Sequence, residues 1–234
     1  MNRVRRVWVY VLACTALVVL GGLLAPLHPN VMPIQGFIAA FPNDRVTIVI
    51  PYRFPWWNFL GRTPRIAEID LASSASVISY SVDRSTLFSG TINILIRPDD
   101  AQDSHQLKEA KFRYAQTWHS VHIGDVNIEI IEDTGDRSLL LSEGAIIRHS
   151  RFEEPYEMAV VNVSQESVSV LDVGGRGITY LGEGVVLEPG TTAVLAVNID
   201  PNYKMARPWI LYRTSVGEHM MPGAACYRIV AGTD

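Results

Sequence analysis

The sequence predicts a mainly β protein carried behind a single membrane-spanning helix, and three observations predict it. An uncharged run, Val7 to Ala25, follows a basic stub at the N-terminus. Beyond it, β-branched residues alternate with polar ones in several short stretches, the period-two signature of half-buried strands. From about residue 152 onward such stretches recur every few residues, with Gly, Pro and Asn/Asp turn signals between them.

The 234 residues are 48% apolar and 19% charged, a balance that excludes wholesale disorder and supports a core without disulfide or metal staples. The formal net charge is −4; without Arg3, Arg5 and Arg6 the 20 basic residues become 17 against 24 acidic, a formal charge of −7. A mildly acidic body of this kind excludes a nucleic-acid groove, which needs a dense basic face. Taken as a whole it also argues against electrostatic docking onto anionic lipid.

The first element is the anchor. Val7 to Ala25 is 19 residues, about 28 Å of helix at 1.5 Å per residue, close to the thickness of a hydrocarbon core. Basic residues before a span stay in the cytoplasm, which puts everything after Pro26 on the far side, in a periplasmic or other extracytoplasmic space. Two other readings compete with an uncleaved anchor. A cleavable signal peptide wants small residues at −3 and −1, and Val19-Leu20-Gly21 fits only marginally. A lipoprotein reading takes Val11-Leu12-Ala13-Cys14 as the lipid-attachment box, but the apolar run continues well beyond Cys14. Cys14 and Cys226 stand too far apart in this scheme to pair, so no intramolecular disulfide is expected.

Residues 27–65 read as a juxtamembrane collar. Prolines punctuate them, and two apolar pieces stand out, Val31 to Phe41 and Phe54 to Leu60. The functional reading makes this collar pack on a partner or rest at the membrane interface, with Trp56, Trp57, Phe59 and Leu60 as partner-binding residues. The structural reading makes it a strand with loops packed on the protein's own core.

Strands are predicted at Val46–Ile50, Val77–Val82, Ile92–Ile96 and Val126–Ile130. One short helix is predicted at about 104–118: Asp103 or Ser104 caps it, and Leu107, Ala110 or Lys111, Tyr114 and Trp118 share a face. Seven further strands follow, at Tyr156–Val163, Ser167–Val173, Gly177–Leu181, Val185–Leu187, Thr191–Asn198, Trp209–Arg213 and Cys226–Val230. Their spacing predicts an antiparallel β-sandwich. The stretch from Leu187 through Glu188-Pro189-Gly190 to Val197 resembles the strand–turn–strand unit of immunoglobulin-like and cupredoxin-like sandwiches. That resemblance covers one hairpin and implies architecture, not activity. The chain is thus divided into a stub and anchor (1–26), the collar (27–65), a β-rich segment with one helix (66–150) and a β-sandwich (151–234).

Motifs for chemistry are sparse, and neither a catalytic residue nor a cofactor is expected. His119 and His122 are the closest-spaced histidine pair; on a helix they would share a face and could hold a metal with Asp125, whereas on a strand they would point apart. The order His219-Met220-Met221 before Cys226 departs from a cupredoxin copper site, in which His and Met follow the Cys. Gly174-Gly175-Arg176-Gly177 and Gly182-Glu183-Gly184 match no phosphate-loop motif and read as hairpin turns. Two functions remain as expectations. The first is a non-enzymatic, membrane-anchored accessory subunit whose exported head docks on other subunits of a larger respiratory, photosynthetic or other envelope complex. The alternative is an envelope ligand- or metal-binding module or chaperone.

Overall fold

The computed structural model describes residues 2–24, 28–54, 63, 65–71, 75–86, 88–98, 103–114, 116–141, 147–148 and 155–227. One helix, α1 (Asn2–Leu24), precedes nineteen strands. The strands are β1 (Asn30–Val31), β2 (Ile34–Ala40), β3 (Val46–Arg53), β4 (Ile66–Leu71), β5 (Ser76–Arg84), β6 (Ser89–Arg97), β7 (Ser104–Tyr114), β8 (Thr117–Ile130), β9 (Leu139–Leu141) and β10 (Ile147–Arg148), followed by β11 (Tyr156–Asn162), β12 (Val168–Gly175), β13 (Ile178–Tyr180), β14 (Val185–Leu187), β15 (Thr192–Ile199), β16 (Met205–Arg207), β17 (Trp209–Arg213), β18 (Glu218–Pro222) and β19 (Cys226–Tyr227). The protein is mainly β.

The strands form three sheets. A four-stranded sheet has the order β1-β3-β6-β5, a seven-stranded sheet β10-β19-β16-β2-β8-β7-β4, and an eight-stranded sheet β18-β17-β12-β13-β15-β11-β9, with β14 on β12. Alternation explains the first. In β3 and β6 the inward positions Ile48, Ile50, Ile92, Ile94 and Ile96 are completely buried, each worth about 1.5–3 kcal/mol of transfer free energy. They meet Leu107, Ala110, Phe112, Val126 and Ile128 of the seven-stranded sheet in one core. Pro51 is tolerated inside β3 because its carbonyl accepts from Met32 N–H on the β1 side, so its ring nitrogen faces the place where β1 has already ended.

A second core lies between the eight-stranded sheet and the opposite face of the seven-stranded sheet. Strand β2 joins the two cores. Ile34, Ile38 and Ala40 belong to the first and Phe37 and Ala39 to the second. Its neighbours β8 and β16 both run parallel to it. Burial on both faces between parallel partners is the environment that gives a near-continuous apolar strand, which is how Ile34 to Phe41 reads.

Several expectations are corrected. Residues 104–118 are not a helix but β7 and the start of β8. The buried positions of β7 are His105 and Leu107, then Ala110 and Phe112. Between the pairs Leu107–Val126 and Glu109–His122 β8 advances four residues while β7 advances two, the burial of β7 slips by one at this irregularity, and the resulting step from 107 to 110 imitates helical spacing. Opposite it, Gly124 sits at φ 117°, where a β-carbon would collide with the backbone of Ile34. The described part of the 27–65 collar is β1, β2 and β3, built into two sheets rather than set apart. The boundary near residue 151 is crossed as well: β16 and β19 join the seven-stranded sheet, and β9 joins the eight-stranded one. The sheets are mixed rather than purely antiparallel, since β2–β8, β16–β2 and β10–β19 are parallel pairs.

Side chains of α1 are described from Val7 to Gly21, and among the described residues no helix is long and apolar enough to cross a membrane.

Candidate functional site

Three places gather polar or aromatic groups. The first lies at the end of the first core where the chain leaves α1. His119 stands opposite Phe112 in the β7–β8 ladder and shares its inward side, whereas His122 stands opposite Glu109 and is exposed on the other face. The expected pair is therefore not brought together, for the reason that period two sends residues three apart to opposite faces. His119 instead meets His28, with ring centroids 4.8 Å apart, and Tyr114 at 5.5 Å, while His28 meets Tyr114 edge-on at 5.0 Å. Burial pushes the Tyr114 hydroxyl far above its ordinary range, so it stays a neutral donor. Among the described residues no three His, Cys, Asp or Glu side chains converge to hold a metal ion. Trp56, Trp57, Phe59 and Leu60 lie outside the described residues. Their flanks are placed: Phe54 N–H donates to Phe88 O at 2.7 Å, and Ile66 pairs with Tyr114, so the chain departs and returns at this same end.

The second place fastens the connection between the cores. Residues 131–138 run from β8 to β9, and Tyr212 and His219 of β17 and β18 hold them. The Tyr212 hydroxyl donates to Asp136 Oδ1 at 2.9 Å, and the Ser138 N–H donates to the same oxygen at 2.9 Å. His219 uses both ring nitrogens, with Thr134 Oγ1 at 2.9 Å and Thr214 Oγ1 at 3.1 Å, and its Nε2 lies 3.9 Å from Asp136 Oδ2. Burial opposes the charge on Asp136, but the hydrogen bonds from Ser138 and Tyr212, with the nearby His219 ring, outweigh it and hold the carboxyl below the usual range. The group has the parts of a relay, yet its hydroxyls and carboxylate are spent on one another, and its work is to pin a linker.

The third is a cleft of about 270 Å³ beside β16 and β19. Its lining is mostly apolar, including Ile38, Leu141 and Met205. Arg207 is engaged by Asp44 at 3.2 Å and by the Gly223 carbonyl at 3.1 Å, and Tyr227 donates to Thr47 O at 3.1 Å. Arg45 brings the remaining cation. Cys226 is completely buried nearby in β19, and burial pushes its thiol up to about 11, so it is not a nucleophile at neutral pH. His219, Met220 and Met221 lie along β18, with His219 committed to threonines, so no copper set forms with Cys226.

Sequence reasoning passed over His28, Tyr114, Asp136 and Tyr212. The ladder Phe112–His119 brings Tyr114 and His119 together, and only the pairing of β7 with β8 reveals it.

No protein-family model matches the chain, and no curated protein matches it. Among solved structures it is similar to a protein of unknown function from Porphyromonas gingivalis W83, at 11% identity over 87% of this chain and 100% of that one, with a TM-score of 0.26. It is similar to the D00-D0 domain of intimin at 9% identity over 87% and 99% of the two chains, TM-score 0.29. The titin Ig tandem domains A164-A165 give 6% identity over 88% and 99%, TM-score 0.22. Overlaps this low carry no argument; the β class rests on the strands themselves.

Proposed function

We propose that the chain is a non-enzymatic accessory subunit, held in a membrane by α1, whose exported β-rich head of immunoglobulin-like or cupredoxin-like architecture docks on a larger membrane complex. The observation that carries this reading is the surface of α1. Val7, Trp8, Val9 and Tyr10, four consecutive residues and so all sides of the helix, are 60%, 63%, 59% and 70% exposed. Leu12, Leu17, Val18 and Leu20 are more than half exposed too. A helix apolar all round belongs in a protein core or a bilayer, and both cores here are filled by strands. The uncharged run continues in sequence past Gly21 to Ala25, which gives the run the length a span needs. Arg3, Arg5 and Arg6 favour a cytoplasmic N-terminus.

The test uses the full chain. In membranes washed with alkaline carbonate the protein should stay in the pellet, and Val11→Arg with Val18→Arg should release it. Extraction in mild detergent should then recover it with stoichiometric companions; migration as a lone monomer would contradict docking. A second reading, a metal-binding module, draws on the His28–His119 contact. Stoichiometric zinc or copper that disappears in His119→Ala would favour it.

A further inference from the structure

We infer that the head lies on the bilayer by one end of its first core, the end formed by the β7–β8 hairpin tip and the β5–β6 turn, and that this end binds phospholipid headgroups. The inference rests on the anchor reading. If Val7 to Ala25 spans the membrane, two residues, Pro26 and Leu27, separate the span from His28, and the three Cα steps from Ala25 to His28 cover about 11 Å at full stretch. The headgroup layer is itself about 5–7 Å deep on each side. His28 packs directly on Tyr114 and His119, at the end of the β7–β8 pair where Tyr114 meets Thr117. The end of the head that carries His28 is thus tied to within about 11 Å of the hydrocarbon boundary, at or just beyond the headgroup layer.

The other strand ends at this level follow from the ladders. Asn30 pairs with Arg53, Arg53 with Ser89, and Arg84 with Gly90, so β1 begins where β3 and β5 end and β6 begins. What they expose suits an interface. Trp118 is 43% exposed with the Arg113 guanidinium 5.7 Å from its ring centroid, and Phe88 is 41% exposed in the neighbouring turn. Indole and phenyl rings flanked by arginine are the side chains that settle at the boundary between acyl chains and headgroups. Arg53 and Arg84 are exposed at the same end beside the exposed Asp83, and Arg113 is paired with Glu68 at 2.7 Å, so a body that is acidic overall presents more arginine than carboxylate where the lipid phosphates would be.

The experiment places the full chain, with Cys14→Ala, in nanodiscs of mixed phosphatidylcholine and phosphatidylglycerol. Cys226 is buried and stays unlabelled. A nitroxide goes on Gln116→Cys at the hairpin tip or on Val216→Cys in the β17–β18 turn of the second core. The expected result is that position 116 is reached several-fold less by a water-soluble nickel relaxant than position 216, with oxygen accessibility of lipid depth. Replacing Trp118 and Phe88 by Ser together should shift position 116 toward the aqueous value. If the protein enters the disc but both positions are equally aqueous, the inference is overturned and the anchor stands. If the chain never enters the disc, the anchor reading fails and the inference falls with it.

Discussion

The two cores are closed by different means. The first is largely apolar: five isoleucines of β3 and β6 face Phe112, Leu107, Val126 and Ile128, all nine completely buried, and its polar exceptions are His105 and Tyr52, whose hydroxyl donates to Asp83 O at 3.2 Å. The second admits Tyr156, Tyr203, Tyr212, Cys226 and the fully buried Asn162, and it finishes its loops with polar pins. Asn162 donates to the carbonyls of Glu166 and Leu187 at 2.7 and 2.8 Å and accepts from Ser164. The difference teaches that the first core is specified mainly by volume and the second more by hydrogen bonds, which cost more when half of a pair is removed.

Strand β2 offers the sharpest way to break this comparison, because adjacent residues serve different cores. Phe37→Ala is expected to cost about 3–5 kcal/mol and Ile38→Ala about 2–4 kcal/mol. Hydrogen exchange read by mass spectrometry should show protection lost first in β12 and β15 for Phe37→Ala and in β3 and β6 for Ile38→Ala. Identical patterns would mean that the two cores unfold as one.

Asn162→Ala tests the polar share of the second core. It strands two carbonyls and should cost about 2–3 kcal/mol, seen as a lowered urea midpoint with an unchanged denaturant slope. A loss under half a kcal/mol would make Asn162 incidental.

The linker pin should be pH-dependent. The Asp136 carboxyl is held below its ordinary range, so its stabilisation is present above the unfolded value of about 3.9 and is lost as pH falls through the folded value. Asp136→Asn should therefore cost about 1–2 kcal/mol at pH 7, and the gap should shrink as pH falls below the unfolded value and through the folded one. A gap that persists in acid would point to shape rather than charge.

The smallest effect concerns Cys226. Because burial holds its thiol protonated, it should resist maleimide at pH 7.5 in the folded head and react at once in urea. Rapid labelling of native protein at this position would open the second core.

Much of this division was legible in the residues. The alternation Ile92-Asn93-Ile94-Leu95-Ile96 and the turn at Glu188-Pro189-Gly190 specify local geometry, and their strands stand where periodicity put them, whereas Gly174-Gly175 ends β12 and the turn falls at Arg176-Gly177. β7 was hidden because its burial slips by one position at the irregularity in its pairing with β8, which gave it the spacing of a helix. The sharing of β2 and the return of β16 into the middle sheet rest on pairings between distant residues, Ile34 with Gly124 and Met205 with Gly36, for which a short apolar run carries no local sign. At the candidate sites the residue types were visible but not their company. His119 was noticed for His122, its neighbour in sequence, and belongs with His28, its neighbour in space.

The account turns on α1 holding the head outside the cytoplasm. The direct measurement is labelling of Val216→Cys, at a position 87% exposed, by a membrane-impermeant maleimide on intact spheroplasts carrying the full chain. The account predicts labelling before lysis on protein that sediments with the membranes. Labelling only after the membrane is opened, or protein recovered in the soluble fraction, would contradict it.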